Sequence, residues 1–460
     1  MKVYNERVVA DAETTIDRAI REVLNAPSHT AVVGVAPAGA GKSYAIGTAV
    51  QAARRKGFRV AVATPTNEQA FALVSSLAER MPKETVTFVP ASKVSLPAEH
   101  ALRNVEEKMA GNTAGDTVLV GTLSKLGNAH ARGDLAAVDL LLIDEAYQAN
   151  AVHYYLVGDL APRHLLMGDS GQLAPFTSAP DGDRWRGLAE DPLLTAVEVV
   201  RRNHPATSVH RLPVTRRLDP RSVPVARAFY PGHTFEAAVL PGVRRLTLQA
   251  ASGRKANVVE DACLDRASQS GWAHLELPAS AVVTADPQTV EVIHRLVRRL
   301  FERGPTVKCE NRDRAAKLRH ADVAVAVSHN DQKDALRSVL RDAGFGDVQV
   351  DTANKLQGLT FEVVIAWHPL AGLTDVDSFH LDPGRLCVML TRHRQACIVV
   401  GRAADRELVE GIPPATPCYV GWDGNPALEG WYVHEAVFSA LEEHRVNFDA
   451  AGPTRESRGR

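Results

Sequence analysis

Residues 36–43, Ala-Pro-Ala-Gly-Ala-Gly-Lys-Ser, are built from types and spacings suited to holding phosphate. Gly39 and Gly41 allow a tight turn. The backbone N–H groups from Ala38 through Gly39, Ala40 and Gly41 to Lys42 and Ser43 can then converge on an anion. The helix that follows adds the positive end of its dipole. Lys42 can reach β- and γ-phosphates, and the Ser43 hydroxyl can ligate Mg²⁺. Ala36 stands where glycine is commoner in this pattern. At this point an ordinary glycine-rich turn between a strand and a helix is the alternative.

A second constellation lies about a hundred residues on, Leu140-Leu-Leu-Ile-Asp144-Glu145-Ala-Tyr-Gln148. An apolar strand that delivers Asp-Glu at its end is what nucleotide hydrolysis needs. Asp144 would hold Mg²⁺, and Glu145 would orient and deprotonate the attacking water. The bland alternative is a strand ending in a solvated acidic pair. Other chemistries find no support. The five cysteines are scattered with no C-x-x-C pair, and the seventeen histidines include no H-E-x-x-H. That argues against a zinc site or a disulfide framework and suits a reducing cytoplasm.

These residues must be presented by strands and helices, and the apolar runs predict them. Residues 31–35, 58–65, 85–90, 117–122, 139–144 and 164–169 read as strands, with helices over 12–25 and 67–80. Continuous apolar runs separated by helices mark a parallel sheet covered on both faces, with functional loops at the carboxyl ends of its strands. The polar tips Lys42-Ser43, Thr64-Pro-Thr66, Asp144-Glu145 and Gly168-Asp169 fall there. Residues 91–116 read as a short insertion with a helix over 97–109. A second alternation follows, with strands at 280–285, 323–328, 348–352, 363–368 and 396–401 and helices at 287–303 and 332–343. The expected domains are residues 1–212, 213–411 and a C-terminal extension over 412–460. That extension should hold a proline-rich linker, one helix over 426–446 and a disordered polar tail. The helix with Trp422, Trp431 and Tyr432 reads as a packing cap or a partner-docking element.

Composition bounds the partners. The chain has 460 residues, a formal net charge of −1, 45% hydrophobic and 5% aromatic residues. It has no apolar run of membrane-spanning length, and its charged N-terminus does not read as a signal peptide. Nucleic-acid binding would need a local basic lining, since the molecule as a whole is no polycation. Basic clusters stand at 54–56, at Arg216-Arg217 with Arg221, at 294–299 and at 312–319; each alone also reads as a solvated face.

The order of motifs resembles the superfamily 1 helicases over residues 15–402. Thr64-Pro-Thr66-Asn67 resembles motif Ia, which implies strand contacts from Thr64 and Thr66. Asp144-Glu-Ala-Tyr-Gln148 resembles the Asp-Glu-Ala-x-Gln form of motif II. Gly168-Asp-Ser-Gly-Gln172-Leu-Ala-Pro175 resembles motif III, which implies that Gln172 senses the γ-phosphate. Residues 212–220, followed by Phe229-Tyr230, resemble motif IV, which implies that Arg217 contacts the γ-phosphate. Residues 328–332, Ser-His-Asn-Asp-Gln, match a further segment of the family. Asp351-Thr352 with Lys355-Leu-Gln357-Gly358 resembles motif V, which implies nucleotide contacts from Gln357 and Gly358 and a strand contact from Thr352. Residues 384–394 resemble motif VI, with Arg392 as the arginine finger.

The resemblance implies an α/β fold of two tandem RecA-like P-loop domains with ATP and Mg²⁺ at their interface. It implies a translocase or helicase on single-stranded nucleic acid, DNA favoured over RNA, moving 5′ to 3′ like the branch that includes the helicase of nonsense-mediated RNA decay. An ATP-gated clamp on nucleic acid or protein is the alternative. Two departures stand out. Residues 1–50 contain no Gln to read adenine, and Thr360 stands where the family often has a ribose-binding Glu.

Overall fold

The computed structural model describes residues 3–175, 190–251, 257–282, 285–411 and 430–448, together with Trp185 and Leu188. The first half is an eight-stranded, all-parallel sheet. Its strands are β1 (Thr30–Val35), β2 (Val60–Thr64), β3 (Val86–Phe88), β4 (Val105–Glu107), β5 (Val118–Thr122), β6 (Leu140–Ile143), β7 (Arg163–Gly168) and β8 (Ser208–Arg211). They lie in the order β4-β3-β5-β2-β6-β7-β1-β8.

Both faces of this sheet are covered. Val32, Val62, Leu142 and Leu165 pack into one core with the helices Glu6–Asn25, Lys42–Arg55 and Asn67–Arg80. Their neighbours Val33, Ala61, Leu141 and Leu166 pack into another with Leu123–Ala131, Ala151–Gly158 and Ala196–Asn203. That is why the strands read as unbroken apolar runs rather than alternating ones. The order places β1 beside β7 and β7 beside β6. The phosphate-type loop after β1 therefore opens beside Asp169, which follows β7, with Asp144-Glu145 after β6 one strand further on.

Leu212 and Val214 still belong to the first core, whereas Leu218, Phe229 and Tyr230 belong to the second. Between the halves β9 (Val214–Thr215) pairs with β10 (Glu236–Ala237). A small antiparallel sheet of β11 (Arg245–Thr247), β13 (Thr306–Lys308) and β14 (Ala316–Lys317) flanks the second half. That half is a six-stranded parallel sheet of β12 (Trp272–Leu277), β15 (Val323–Val327), β16 (Gln349–Thr352), β17 (Phe361–Trp367), β18 (His393–Arg402) and β19 (Arg445–Asn447). Its order is β16-β15-β17-β18-β12-β19.

Three expectations are corrected. Residues 97–109 form no α-helix: Val105–Glu107 joins the sheet edge as β4, with short 3₁₀ turns at Ala98–His100 and Ala110–Asn112. The strand expected at 280–285 is β12 instead. Residues 280–282 take no strand conformation, and 283–284 lie outside the described residues. The C-terminal helix expected to run to 446 ends at Leu441 and packs as a cap. Val433, Val437 and Leu441 of the helix Gly430–Leu441 enter the second core, and β19 extends the second sheet. The expected linker and disordered tail lie outside the described residues. Among those described, no helix is long and apolar enough to cross a membrane, and the four cysteines are unbridged.

Candidate nucleotide site between the two sheets

The loop after β1 has the backbone its glycines predict. Gly39 and Gly41 sit at φ 73° and 96°, and Gly41 caps the helix Lys42–Arg55, whose first N–H groups face the loop. Gly39 is also a close approach. A Cβ there would stand 2.2 Å from the Cβ of Arg217, which arrives from the segment after β9. That segment is strapped to the loop: the Arg216 N–H donates to the Gly39 carbonyl (2.8 Å), and the Thr215 hydroxyl donates to the Ala38 carbonyl (2.7 Å). The Ala38 N–H donates to the Tyr230 hydroxyl (2.9 Å). Ser43 is exposed at the first turn of the helix, while Ala38 and Ala40 are buried.

On the first sheet's side the site is crowded with carboxylates. Lys42 Nζ lies 3.2 Å from Glu145 Oε1. Burial lowers the Lys42 pKa, but Glu145, Asp169 and Asp144 together outweigh it and hold the ammonium above its usual value. Asp144 is 8% exposed. Burial, and then the charge of Glu145, push it up to about 7 against the pull of Lys42 and of the Glu145 N–H (2.9 Å). Glu145 itself sits at φ 52°, a left-handed conformation that costs a side-chain-bearing residue about 1 kcal/mol or more. That turn aims its carboxylate back at Lys42.

Asp169 is the hub of the floor. It is 1% exposed and accepts from the Gly171 N–H (3.0 Å), the Gln172 amide and the Tyr230 hydroxyl (2.9 Å). Gln172 in turn accepts from the Gln357 amide (2.9 Å), a bond that crosses from one half to the other. Gly384 makes a second crossing contact, since a Cβ there would stand 2.6 Å from the Gln172 carbonyl.

On the second side the charges are arginines. Arg217 donates from Nε to the Thr360 hydroxyl (2.9 Å) and from Nη1 to the Thr391 carbonyl (3.3 Å). Burial in the cleft, and then the nearby charge of Arg392, push its pKa down to about 9. Arg392 is 0% exposed. Its Nη2 donates to the Thr391 hydroxyl (3.2 Å), but Nε and Nη1 have no hydrogen-bond partner. A buried guanidinium with unpaired donors costs free energy until an anion meets it.

The donor set fits a nucleoside triphosphate with Mg²⁺. The loop offers N–H groups and Lys42, and the far side offers two arginines with unpaired or strained charge. Ser43 and Asp144 could offer oxygen ligands to a divalent cation that also binds phosphate. Among the described residues no cluster of three or more His, Cys, Asp or Glu could hold a metal unaided.

The predicted strand-contact residues divide. Thr64 is fully buried and its hydroxyl donates to the Thr66 carbonyl (2.8 Å), so it shapes a turn. Thr66 caps the helix Asn67–Arg80 in a reciprocal box with Gln69, which reaches Gln148 (3.1 Å). Thr352 opens the helix Ala353–Leu356 at the carboxyl end of β16. Gly358 follows Gln357 at φ 81°. Sequence reasoning passed over Asp169 as a hub, although an acid at a strand end is a legible signal. Thr360, a departure from the family pattern, anchors Arg217. Nothing in the local sequence of Tyr230 marks it as the bridge between loop and floor.

Residues 17–212 match a family described as an AAA domain, and residues 278–404 match a second AAA domain family. Among solved structures, the chain is similar to an arterivirus nonstructural protein 10 helicase in complex with DNA. The identity is 13% and the TM-score 0.43, over 86% of this chain and 64% of that one. It is also similar to the PRRSV helicase, at 15% identity and TM-score 0.41 over 88% and 58%. A third is S. cerevisiae Dbp5 bound to RNA and ADP BeF3, at 13% identity and TM-score 0.42 over 95% and 90%. This chain spans less than two thirds of the length of the two viral proteins. No curated protein matches it.

Proposed function

We propose that the chain is a superfamily 1 helicase, an ATP-driven translocase or helicase on single-stranded nucleic acid, a reading that the two AAA domain matches and the order of its motifs support. One observation carries the reading: the loop of the first half lies directly against Arg217 of the segment leading into the second. A nucleotide held by that loop would have opposing charge on both sides.

In this reading the N–H groups from Ala38 to Ser43 and the Lys42 ammonium bind the β- and γ-phosphates. Ser43 and Asp144 would hold Mg²⁺, which would supply charge neutralisation for the phosphates. Lys42 is paired with Glu145 in the protein alone. Drawn to phosphate, Lys42 releases the Glu145 carboxylate to orient a water and take its proton. Arg217 and Arg392 neutralise charge that develops on the γ-phosphoryl group, and Gln172 with Gln357 reports that group across the cleft. Hydrolysis removes the anion that joins the halves, so the cleft closes and opens once per turnover. A strand lying over Thr66 and Thr352, at the carboxyl ends of both sheets, would advance with each cycle. We assign the direction as 5′ to 3′ and the substrate as single-stranded DNA before RNA.

The test is steady-state ATP turnover of wild type and Lys42→Ala without polymer, with single-stranded DNA and with single-stranded RNA, alongside strand displacement. Stimulation by one polymer, lost in the variant, is expected. Polymer retained in an ATP-dependent way with no directional movement would replace the motor with a clamp.

A further inference from the structure

Arg217 and Arg216 meet the loop with their side chains, but their own backbone is held from behind. The segment carries only the two-residue strand β9 and leads into no regular element until Val223. A free connection of that kind would let both side chains wander. Arg244, just before β11, is 1% exposed. Its Nη1 donates to the Arg217 carbonyl and its Nη2 to the Arg216 carbonyl (2.7 Å). The other edge of the same guanidinium grips Glu310, with Nε to Oε2 at 2.8 Å and Nη2 to Oε1 at 2.5 Å. Glu310 sits between β13 and β14, on the small antiparallel sheet of the second half. Arg221 adds a contact from Nη2 to the Arg244 carbonyl (3.5 Å) and is itself held by Asp219 (2.7 Å).

We propose that Arg244 and Glu310 form a buried clamp that positions Arg216 and Arg217 against the phosphate loop. The geometry is specific to arginine. One planar fork must satisfy two successive carbonyls and a bidentate carboxylate, which a lysine ammonium cannot span. The clamp faces the loop across a short path. Arg217 packs against Gly39, and Arg216 Nε would lie 3.5 Å from a Cβ on Gly41. The carboxylate belongs to the second half, so the clamp ties the arginine pair to that body while the loop belongs to the first. A shift of either half is thereby passed to the arginines. Arg244 holds the Glu310 carboxyl below its usual range against burial, as expected for a permanently ionised partner. As a bare stabilising device the arrangement would be a poor one, because buried ion pairs roughly offset their own desolvation.

The inference rests on the reading of Arg217 as a γ-phosphate contact, and the test separates the two. Single-turnover ATP hydrolysis, ADP affinity and melting temperature are measured for Glu310→Gln, Arg244→Lys, Arg217→Ala and the Glu310→Gln/Arg217→Ala double variant. Misplacing a charge-stabilising group should slow hydrolysis about ten- to a hundredfold. ADP affinity, set by the loop and Lys42, should stay within about twofold of wild type. In the Arg217→Ala background, Glu310→Gln should cause no further loss. Equal slowing of wild type and Arg217→Ala by Glu310→Gln would overturn the clamp. So would parallel loss of hydrolysis, ADP affinity and melting temperature. Wild-type hydrolysis by Arg217→Ala would instead remove the premise.

Discussion

The two walls of the cleft have opposite electrostatic faults. On the first wall Asp144, Glu145 and Asp169 surround a single lysine, and burial, then the charge of Glu145, pushes Asp144 up to about 7. On the second wall burial, and then the charge of Arg392, drives Arg217 down to about 9, and Arg392 keeps two donors unpaired. The hydrogen bonds between the walls come from neutral donors, the Gln357 amide to Gln172 and the Tyr230 hydroxyl to Asp169. The difference indicates what belongs in the gap: a divalent cation against the acids and a phosphate chain between lysine and arginines. Perturbed charge of this kind clusters at functional sites.

The comparison can be broken most severely at its one cation on the acidic wall. Lys42→Ala should reduce ATP turnover about 10³-fold, because it removes charge stabilisation and leaves three carboxylates facing the phosphates. Turnover within tenfold of wild type would mean that the wall does not hold the nucleotide. The acids give a second test through pH. Asp144 with a pKa of about 7 is increasingly protonated below neutrality, and Mg²⁺ needs it ionised. Affinity for Mg²⁺–ADP should therefore fall about tenfold for each pH unit below 7. Asp144→Asn should bind more weakly and lose that slope. The sign for stability is opposite. A carboxyl whose pKa is raised by folding binds its proton more tightly in the folded state, so the protein alone loses stability as pH rises from about 4 to about 7. Thermal melting across that range reads it. The smallest effect is expected at the neutral link. Gln357→Ala removes one uncharged hydrogen bond worth about 1 kcal/mol, so turnover should fall about fivefold with the melting temperature nearly unchanged.

The two walls also differ in how legible they are from sequence. The acidic wall is read almost entirely from short stretches, because loop, lysine and carboxylates each end an apolar strand that neighbours the next. The arginine wall is assembled from residues 217, 230, 244, 310, 360 and 392, which no local pattern connects. Only the resemblance to a family gave Arg217 and Arg392 their roles and took in Tyr230, and nothing pointed at Arg244 or Glu310. The fold shows the same contrast. Strands buried on both faces announce themselves, as in Leu140–Ile143. Strand β12, Trp-Ala-His-Leu-Glu-Leu, carries His274 and Glu276 and so reads as half-solvated, although His274 is 5% exposed. The more apolar run at 280–285 drew the assignment away from it. The misread helix at 97–109 failed because an edge strand needs only three residues and a partner, a tertiary effect that outweighs its Glu-Glu-Lys propensity.

The central claim is that both walls act on one nucleotide, and Arg392→Ala tests it most directly. Single-turnover hydrolysis at saturating ATP, with the stimulating polymer present, is compared with ADP affinity. The account predicts hydrolysis slowed about 10³-fold, as for loss of an arginine finger, with ADP affinity within a few-fold of wild type. Unchanged hydrolysis in Arg392→Ala, in a preparation where Lys42→Ala is inactive, would contradict it and confine the chemistry to the first half.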